Sequence, residues 1–327
     1  MNLPKGVKKM KETEVVTVGI MVADIMVKPV DSVPEPGKLS LVDSIELFSG
    51  GNAMTAAINM SKMGIKSAVC GKVGCDVWGD FLISCLEKNN VYPGAVVRDE
   101  KVQTSASAAL IEGNGERAFL HCKGTNAALQ ISDIDMEIIK QAKNVFVTGT
   151  FLLDDFDGEQ TTEFLRLCKE QSKTTFLDVC WDALGNWGKK LFSAMPYIDW
   201  FMPSIDEARE ISGKEDLREM TDVFFDKGVK HTVIKCGADG CYLRLNKADE
   251  GRLIPSYRCE NCVDTTGAGD SFCSGFITAY TKGAAPEECA KFANAVGALC
   301  VSARGATSGT KSYEETLNFM KECEKHE

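Results

Sequence analysis

Apolar runs of strand length alternate with helix-length amphipathic stretches along most of this chain. "VVTVGIMV" (15–22) is a near-continuous apolar run, as a strand buried on both faces requires. "NAMTAAINMSKMG" (52–64) carries its apolar residues at helical spacing and stops at Gly64. "SAVCGKVG" (67–74) predicts the next strand and "DVWGDFLISCLEKNN" (76–90) the next helix. Further strands are predicted at "NVFVTGT" (144–150), "TTFLDVC" (174–180), "DWFMP" (199–203) and "HTVIKCG" (231–237), and a mostly helical tail runs from Ser271 to Cys323. Such alternation predicts an α/β fold with a mostly parallel sheet and helices on both faces.

Two stretches break the rhythm. Residues 28–48 carry three prolines before the alternating "KLSLVDSIELF", and "TSASAALIEGNGERAFLHC" (104–122) reads as two strands around a Gly-Asn-Gly turn. Both are expected to be insertions that form a small antiparallel β sheet, projecting as a lid from a domain spanning 15–327. Residues 1–14 are expected to be a loosely held extension.

Composition narrows the function classes. The 327 residues are 44% hydrophobic and 26% charged, ordinary soluble globular material with ample burial for a large core. A net charge of −10 offers no footprint for nucleic acid or an anionic membrane, although backbone amides can still bind phosphate locally. "MNLPKGVKKMKETE" lacks the apolar core of a signal peptide, and no apolar run approaches membrane-spanning length. A cytoplasmic location is therefore expected, with the 14 scattered cysteines as reduced, mostly buried thiols. "CENC" (259–262) has no second pair at zinc-finger spacing, so a zinc or redox role is the weaker reading.

Candidate chemistry concentrates in "DTTGAGDSF" (264–272). Small residues let backbone N–H groups converge, and the helix that follows adds its positive end, so an anion pocket forms without Lys or Arg. Phe272, Cys273, Phe276, Ile277 and Tyr280 share the apolar face of that helix. Asp270 would sit at the mouth of the pocket, kept ionised by the helix end and able to accept a hydroxyl proton. The plainer alternative is that Asp264 and Asp270 are turn and cap residues. No GxxxxGK[ST] occurs and no GxGxxG follows the first strand, so phosphate chemistry here needs another solution.

"DTTGAGDSFCSGFI" (264–277) resembles the C-terminal signature of the ribokinase-like, or PfkB, carbohydrate kinases, and "GGNAMTAAINMSKMG" (50–64) is similar to their N-terminal signature. "GKVGCDVWG" (71–79), "KCGADGCYL" (235–243) and "ANAVGALCVSARGA" (293–306) fall in the family's order. The resemblance runs from about residue 15 to 320 and implies a three-layer α/β/α sandwich with a small β lid. It also implies transfer of the γ-phosphate of ATP, with Mg²⁺, to a hydroxyl of a small sugar or sugar acid.

By that resemblance Asp270 is the catalytic base, and Gly267, Ala268 and Gly269 supply the anion hole. Asp24, read as closing the first strand, binds substrate with Gly50, Gly51 and Asn52, while Arg117 and His121 reach it from the lid. Lys235, Gly237, Gly240 and Asn294 hold the nucleotide. Asp264 and carbonyls of "ARGATS" (303–308) form a site for a monovalent cation, K⁺. Glu207 supports Mg²⁺ through water. Exposed lid edges imply a homodimer.

Two departures stand out. Ser204 replaces the asparagine of the family's Asn-x-x-Glu motif, leaving Glu207. Asp182 ends "DVCWD" where fructokinase-like relatives carry arginine, which argues against an already phosphorylated substrate. A nucleoside kinase on the same scaffold and a sugar-binding regulator without catalysis remain as alternatives. Phe48 and Phe119 are too few lid aromatics to decide for the nucleoside.

Overall fold

A computed structural model describes residues 12–113, 116–259 and 262–324. Nine strands form the main sheet: β1 (Val15–Gly19), β4 (Ser67–Gly74), β5 (Val96–Asp99), β8 (Asn144–Thr150), β9 (Thr174–Val179), β10 (Trp200–Phe201), β11 (His231–Lys235), β12 (Cys241–Arg244) and β13 (Arg252–Ile254). The remaining four strands, β2 (Val22–Lys28), β3 (Ser44–Gly50), β6 (Ala106–Ile111) and β7 (Arg117–Cys122), make a separate small sheet.

The main sheet runs β13-β12-β11-β10-β9-β8-β1-β4-β5. It is parallel from β11 to β5, with β12 and β13 antiparallel at one edge. Side chains alternate between two cores. Val16, Val18, Val145, Val147, Leu177 and Ile234 pack on one face. Val15, Phe146, Phe176, Trp200 and Val233 pack on the other, against Phe272 and Phe276 of the Ala268–Thr281 helix. Burial on both faces explains the near-continuous apolar runs of the central strands. The layers are those expected, a mostly parallel sheet with a core on each face.

From β1 the chain proceeds outward to β4 and β5, then crosses back to β8 and beyond. The order of strands therefore reverses beside β1, where open α/β sheets leave a crevice at the carboxyl ends.

The run at 15–22 is not one strand. β1 stops at Gly19, where a Cβ would lie 1.8 Å from the Thr148 carbonyl oxygen, so only glycine permits that approach. Asn126 then brackets Met21, accepting from its N–H at 3.1 Å and donating to its carbonyl at 3.0 Å. The chain leaves the main sheet at this clamp and enters β2. Asp24 consequently lies within the small sheet, not at the end of the first strand as expected.

The small sheet, order β3-β2-β6-β7, recruits β2 from before residue 28. It is mixed, not purely antiparallel, because β2 and β6 run parallel while the outer pairs are antiparallel. Asn114 and Gly115 of the predicted turn lie outside the described residues. Residues 1–11 of the predicted extension do too. Residues 13 and 14 are already held, with Thr13 buried and the Glu14 carbonyl accepting from Lys143 and Asn144. Among the described residues no helix is long and apolar enough to cross a membrane. All 14 cysteines are free thiols.

Candidate active site

Two helix N-termini meet beside the carboxyl ends of the parallel strands. Asn52 opens the Asn52–Lys62 helix, and Asp270 sits in the first turn of the Ala268–Thr281 helix. The Asn52 amide donates to Asp270 Oδ1 at 2.7 Å. Burial pushes Asp270 up to about 6. Lys235 and Asn52 pull it back down, and Glu207 adds to the rise. The helix end was expected to keep this group ionised; at about 6 its pKa leaves it so at neutral pH, while desolvation makes it more basic than an ordinary carboxylate.

The glycine-rich bend is held open for a reason visible in the backbone. Gly267 caps the helix at φ 76°, and a Cβ there would lie 2.3 Å from that of Ala306. Asp264 is buried and ties the bend to the 303–308 loop, accepting from Thr266 N–H at 2.8 Å and Gly305 N–H at 2.9 Å. Of the three predicted anion-hole amides, that of Ala268 already donates to the Thr265 carbonyl at 3.2 Å. The first-turn amides of Gly269 and Asp270 have no intrahelical acceptor by helix geometry, so Asp270's own N–H joins Gly269's.

Lys235 is not a surface lysine. Its ammonium contacts both oxygens of buried Asp178, at 2.7 and 2.6 Å. Burial disfavours its charge, but Asp178, Cys273 and Glu207 outweigh that and raise its pKa. A Cβ at Gly269 would come within 3.6 Å of the ammonium, which places this cation at the start of the helix.

A cavity of about 530 Å³ opens from that point. Lys235, Gly237, Gly240 and Asn294, the four predicted nucleotide residues, all line it, as do Ala268 and Gly269. Asn294 does not present its amide to a ligand, however. It donates to the Ile254 and Pro255 carbonyls, each at 3.0 Å, and so fixes the wall of the cavity. Cys259 and Cys262 lie at the same wall. No group of three metal-ligating side chains occurs among the described residues.

Through Asn52 the site connects to the small sheet, since β3 ends at Gly50, two residues earlier. Asp24 aligns across it with Phe48, Ser107 and His121 in one registered row. A Cβ at Gly50 would strike Asp24 Oδ2 at 1.9 Å, so glycine there makes room for the carboxylate. Burial lifts Asp24 to about 6, opposed by the hydroxyl of Ser107, its neighbour across the sheet. Gly51 (φ 86°) admits the Ile20 carbonyl at a distance no Cβ allows. Phe48 leans over Gly305, which shows that this face of the small sheet looks toward the main domain. The backbone of Arg117 opens β7, but its side chain lies outside the described part of the structure.

Ser204 and Glu207 form a reciprocal cap. Ser204 N–H donates to Glu207 Oε2 at 2.7 Å, and Glu207 N–H donates to the serine hydroxyl at 3.3 Å. Serine thus serves the helix here. Asp182 also turns inward, accepting from the backbone of Leu184, Asn186 and Trp187, so its charge gives no sign about the substrate. Two residues escaped the sequence reading. Asp178 carries no signal beyond a carboxylate in an apolar strand, and Ser107 is legible only once β2 and β6 are paired.

The model of the pfkB family of carbohydrate kinases matches residues 12–312. An uncharacterized sugar kinase of Archaeoglobus fulgidus is 28% identical over 255 residues, covering 77% of this chain and 98% of that protein. The 2-dehydro-3-deoxygluconokinase of Bacillus subtilis is 24% identical, covering 88% and 90%. The structure of Arabidopsis thaliana ribokinase complexed with ribose and ATP superposes with a TM-score of 0.83 at 23% identity, covering 95% of this chain and 99% of that one.

Proposed function

This chain belongs to the pfkB family of carbohydrate kinases, phosphotransferases with an alcohol acceptor, and on that premise we propose that Asp270 deprotonates a hydroxyl, primary by preference, of a small sugar or sugar acid. The observation that carries the reading is how Asp270 is connected. It follows Gly269, which lines the cavity with Lys235, and it accepts from Asn52, two residues after the Gly50 against which Asp24 packs.

ATP occupies the cavity between Gly237, Gly240 and Asn294, with its γ-phosphate toward the first turn of the Ala268–Thr281 helix. There the amides of Gly267, Gly269 and Asp270, with the Lys235 ammonium, stabilise charge on the transferring group. Asp270 Oδ1 is held by Asn52, leaving Oδ2 to take the proton as the acceptor oxygen attacks. Asp24, Gly50, Gly51 and Asn52 orient the acceptor, with Arg117 and His121 at the rim. Phosphate-bound Mg²⁺ suits the carboxylate of Glu207, whose charge reaches Lys235, Asp178 and Asp270; the ion would supply neutralisation of the phosphate oxygens.

The Asp264 carboxylate and the carbonyls of residues 303–308 are oxygen ligands of the kind a hard monovalent cation such as K⁺ takes, with the Cys300 thiol beside them at 3.8 Å from the Ala306 carbonyl. Lys62 already donates to the Thr307 carbonyl at 2.7 Å. We read 15–327 as one cytoplasmic kinase domain with the small sheet as its lid. The outer face of that sheet exposes Ile45, Leu47 and Leu120, which supports a homodimer through the face more than through the edges.

ADP release, coupled to a reporter enzyme, over neutral sugars, sugar acids and nucleosides tests the reading. Turnover confined to nucleosides removes it. Tight sugar binding without ADP release would support a regulator instead.

A further inference from the structure

Arg98, Arg166, Arg209, Arg218, Arg244 and Arg252 each meet a carboxylate. Arg304, after Lys28 and Ser44, helps to lower the Glu46 carboxyl. Arg258 differs from all of these. In a chain with a net charge of −10 it has no hydrogen-bond or ion-pair partner among the described residues. It is exposed, and it lines the cavity that opens at Gly269 and Lys235. No Asp or Glu stands among the described residues of that lining.

The stretch that presents Arg258 is anchored on several sides. A Cβ at Gly240 would lie 2.0 Å from the Ile254 carbonyl oxygen, so the turn at Gly240 lies directly against residues 254–256. Asn294 donates to the carbonyls of Ile254 and Pro255. Tyr257 packs against Phe319, with ring centroids 5.7 Å apart. Arg258 follows at once, so its backbone is fixed before any ligand arrives.

We propose that Arg258 binds the α- and β-phosphates of the nucleotide, the part of the donor that remains on ADP. The inference rests on the donor-site reading above. Lys235 serves the other end of the polyphosphate, at the start of the Ala268–Thr281 helix, and both oxygens of Asp178 already answer its charge. The first-turn amides are gathered at that same helix start. Arg258 belongs to a different stretch of the wall and is the uncompensated cation of the described lining. A polyphosphate entering the cavity gives up hydration and needs positive charge in exchange. A guanidinium supplies it with a planar fork that meets two phosphate oxygens at once. Phosphates that the donor keeps are held equally before and during transfer, so this contact acts on KM and leaves kcat alone.

Arg258→Met in the full-length protein tests this, with ADP and adenosine as probes. Calorimetry in the presence of Mg²⁺ should show the Kd for ADP raised about tenfold or more, with adenosine affinity unchanged. Added salt should weaken ADP binding to the wild type more than to the variant. In the coupled assay the KM for ATP should rise by a similar factor, while kcat stays within about twofold of the wild type. Unchanged ADP affinity in Arg258→Met overturns the proposal. So does an equal loss for adenosine, which would put the guanidinium at the base, or a fall in kcat with ADP affinity intact, which would put it at the γ-phosphate. ADP binding is read without turnover. A protein that binds ADP through Arg258 yet phosphorylates no sugar or sugar acid therefore refutes the acceptor reading and upholds this one, whereas a wild type without affinity for ADP overturns both.

Discussion

Asn52 and Asp270, 218 positions apart in sequence, are joined by a hydrogen bond of 2.7 Å between the first residues of two helices. The bond fixes one oxygen of Asp270 and stabilises its charge against burial. Burial and Lys235 dominate the proton affinity of the proposed base, and Asn52, from the other end of the domain, lowers it further.

Removing that donor should be visible in the pH dependence. Asn52 lowers the pKa of Asp270, so Asn52→Ala raises it above about 6. The acid limb of kcat should then move to higher pH, by roughly one unit. A rate profile measured between pH 5 and 9 checks this. A limb that stays in place would separate Asn52 from the base.

The wild-type profile has its own expected shape. Asp270 and Asp24 both titrate near 6, and both must be ionised, one to take a proton and one to bind hydroxyls. kcat/KM should be flat above neutrality. Below about pH 6 it should fall about tenfold per unit for each carboxylate protonated, more steeply than kcat, in which bound sugar shields Asp24. Equal slopes in the two profiles would remove Asp24 from substrate binding.

Lys235 and Asp178 form a buried pair at the junction of the cavity with the base. Lys235→Met leaves a carboxylate without its cation and should cost about 3–5 kcal/mol in urea unfolding. The double variant Asp178→Leu/Lys235→Met should recover much of that stability, yet its KM for ATP should stay raised. Recovery of nucleotide affinity along with stability would make the lysine a purely structural residue.

Gly267→Ala tests the bend. The new methyl would lie 2.3 Å from that of Ala306 at a φ of 76°, so the 303–308 loop has to move and the amides lose their alignment. Turnover should fall by about a hundredfold, with the helical circular dichroism unchanged. Wild-type turnover would show that those amides do not meet the phosphoryl group.

Much of this arrangement was legible before any coordinates. The strands at 67–74, 144–150 and 231–235 announce themselves because both faces are buried, which leaves no polar alternation to confuse the period. The GAGD bend is visible because close backbone approach leaves only small residues. Asp24 was misplaced because Gly19 and the Asn126 clamp, which end β1, act through contacts over a hundred residues away. Ser204 and Asp182 looked like substrate-site changes, but each closes a local cap whose partners lie within five residues. Asn294 likewise holds a wall. Side-chain direction separates a ligand contact from a scaffold contact, and one sequence does not encode it in any short pattern.

Asp270→Asn bears most directly on the central claim. The carboxylate's native pKa, about 6, lies above its ordinary value of 3.8, so the native state loses stability as pH rises through that window. At pH 7.5 the charge is present and disfavoured, and the amide should therefore melt no lower than the wild type. Sugar-dependent ADP release at that pH should fall a hundredfold or more while ATP binding by calorimetry is retained. Turnover within tenfold of the wild type, in a variant shown to be folded, would mean that another group takes the proton.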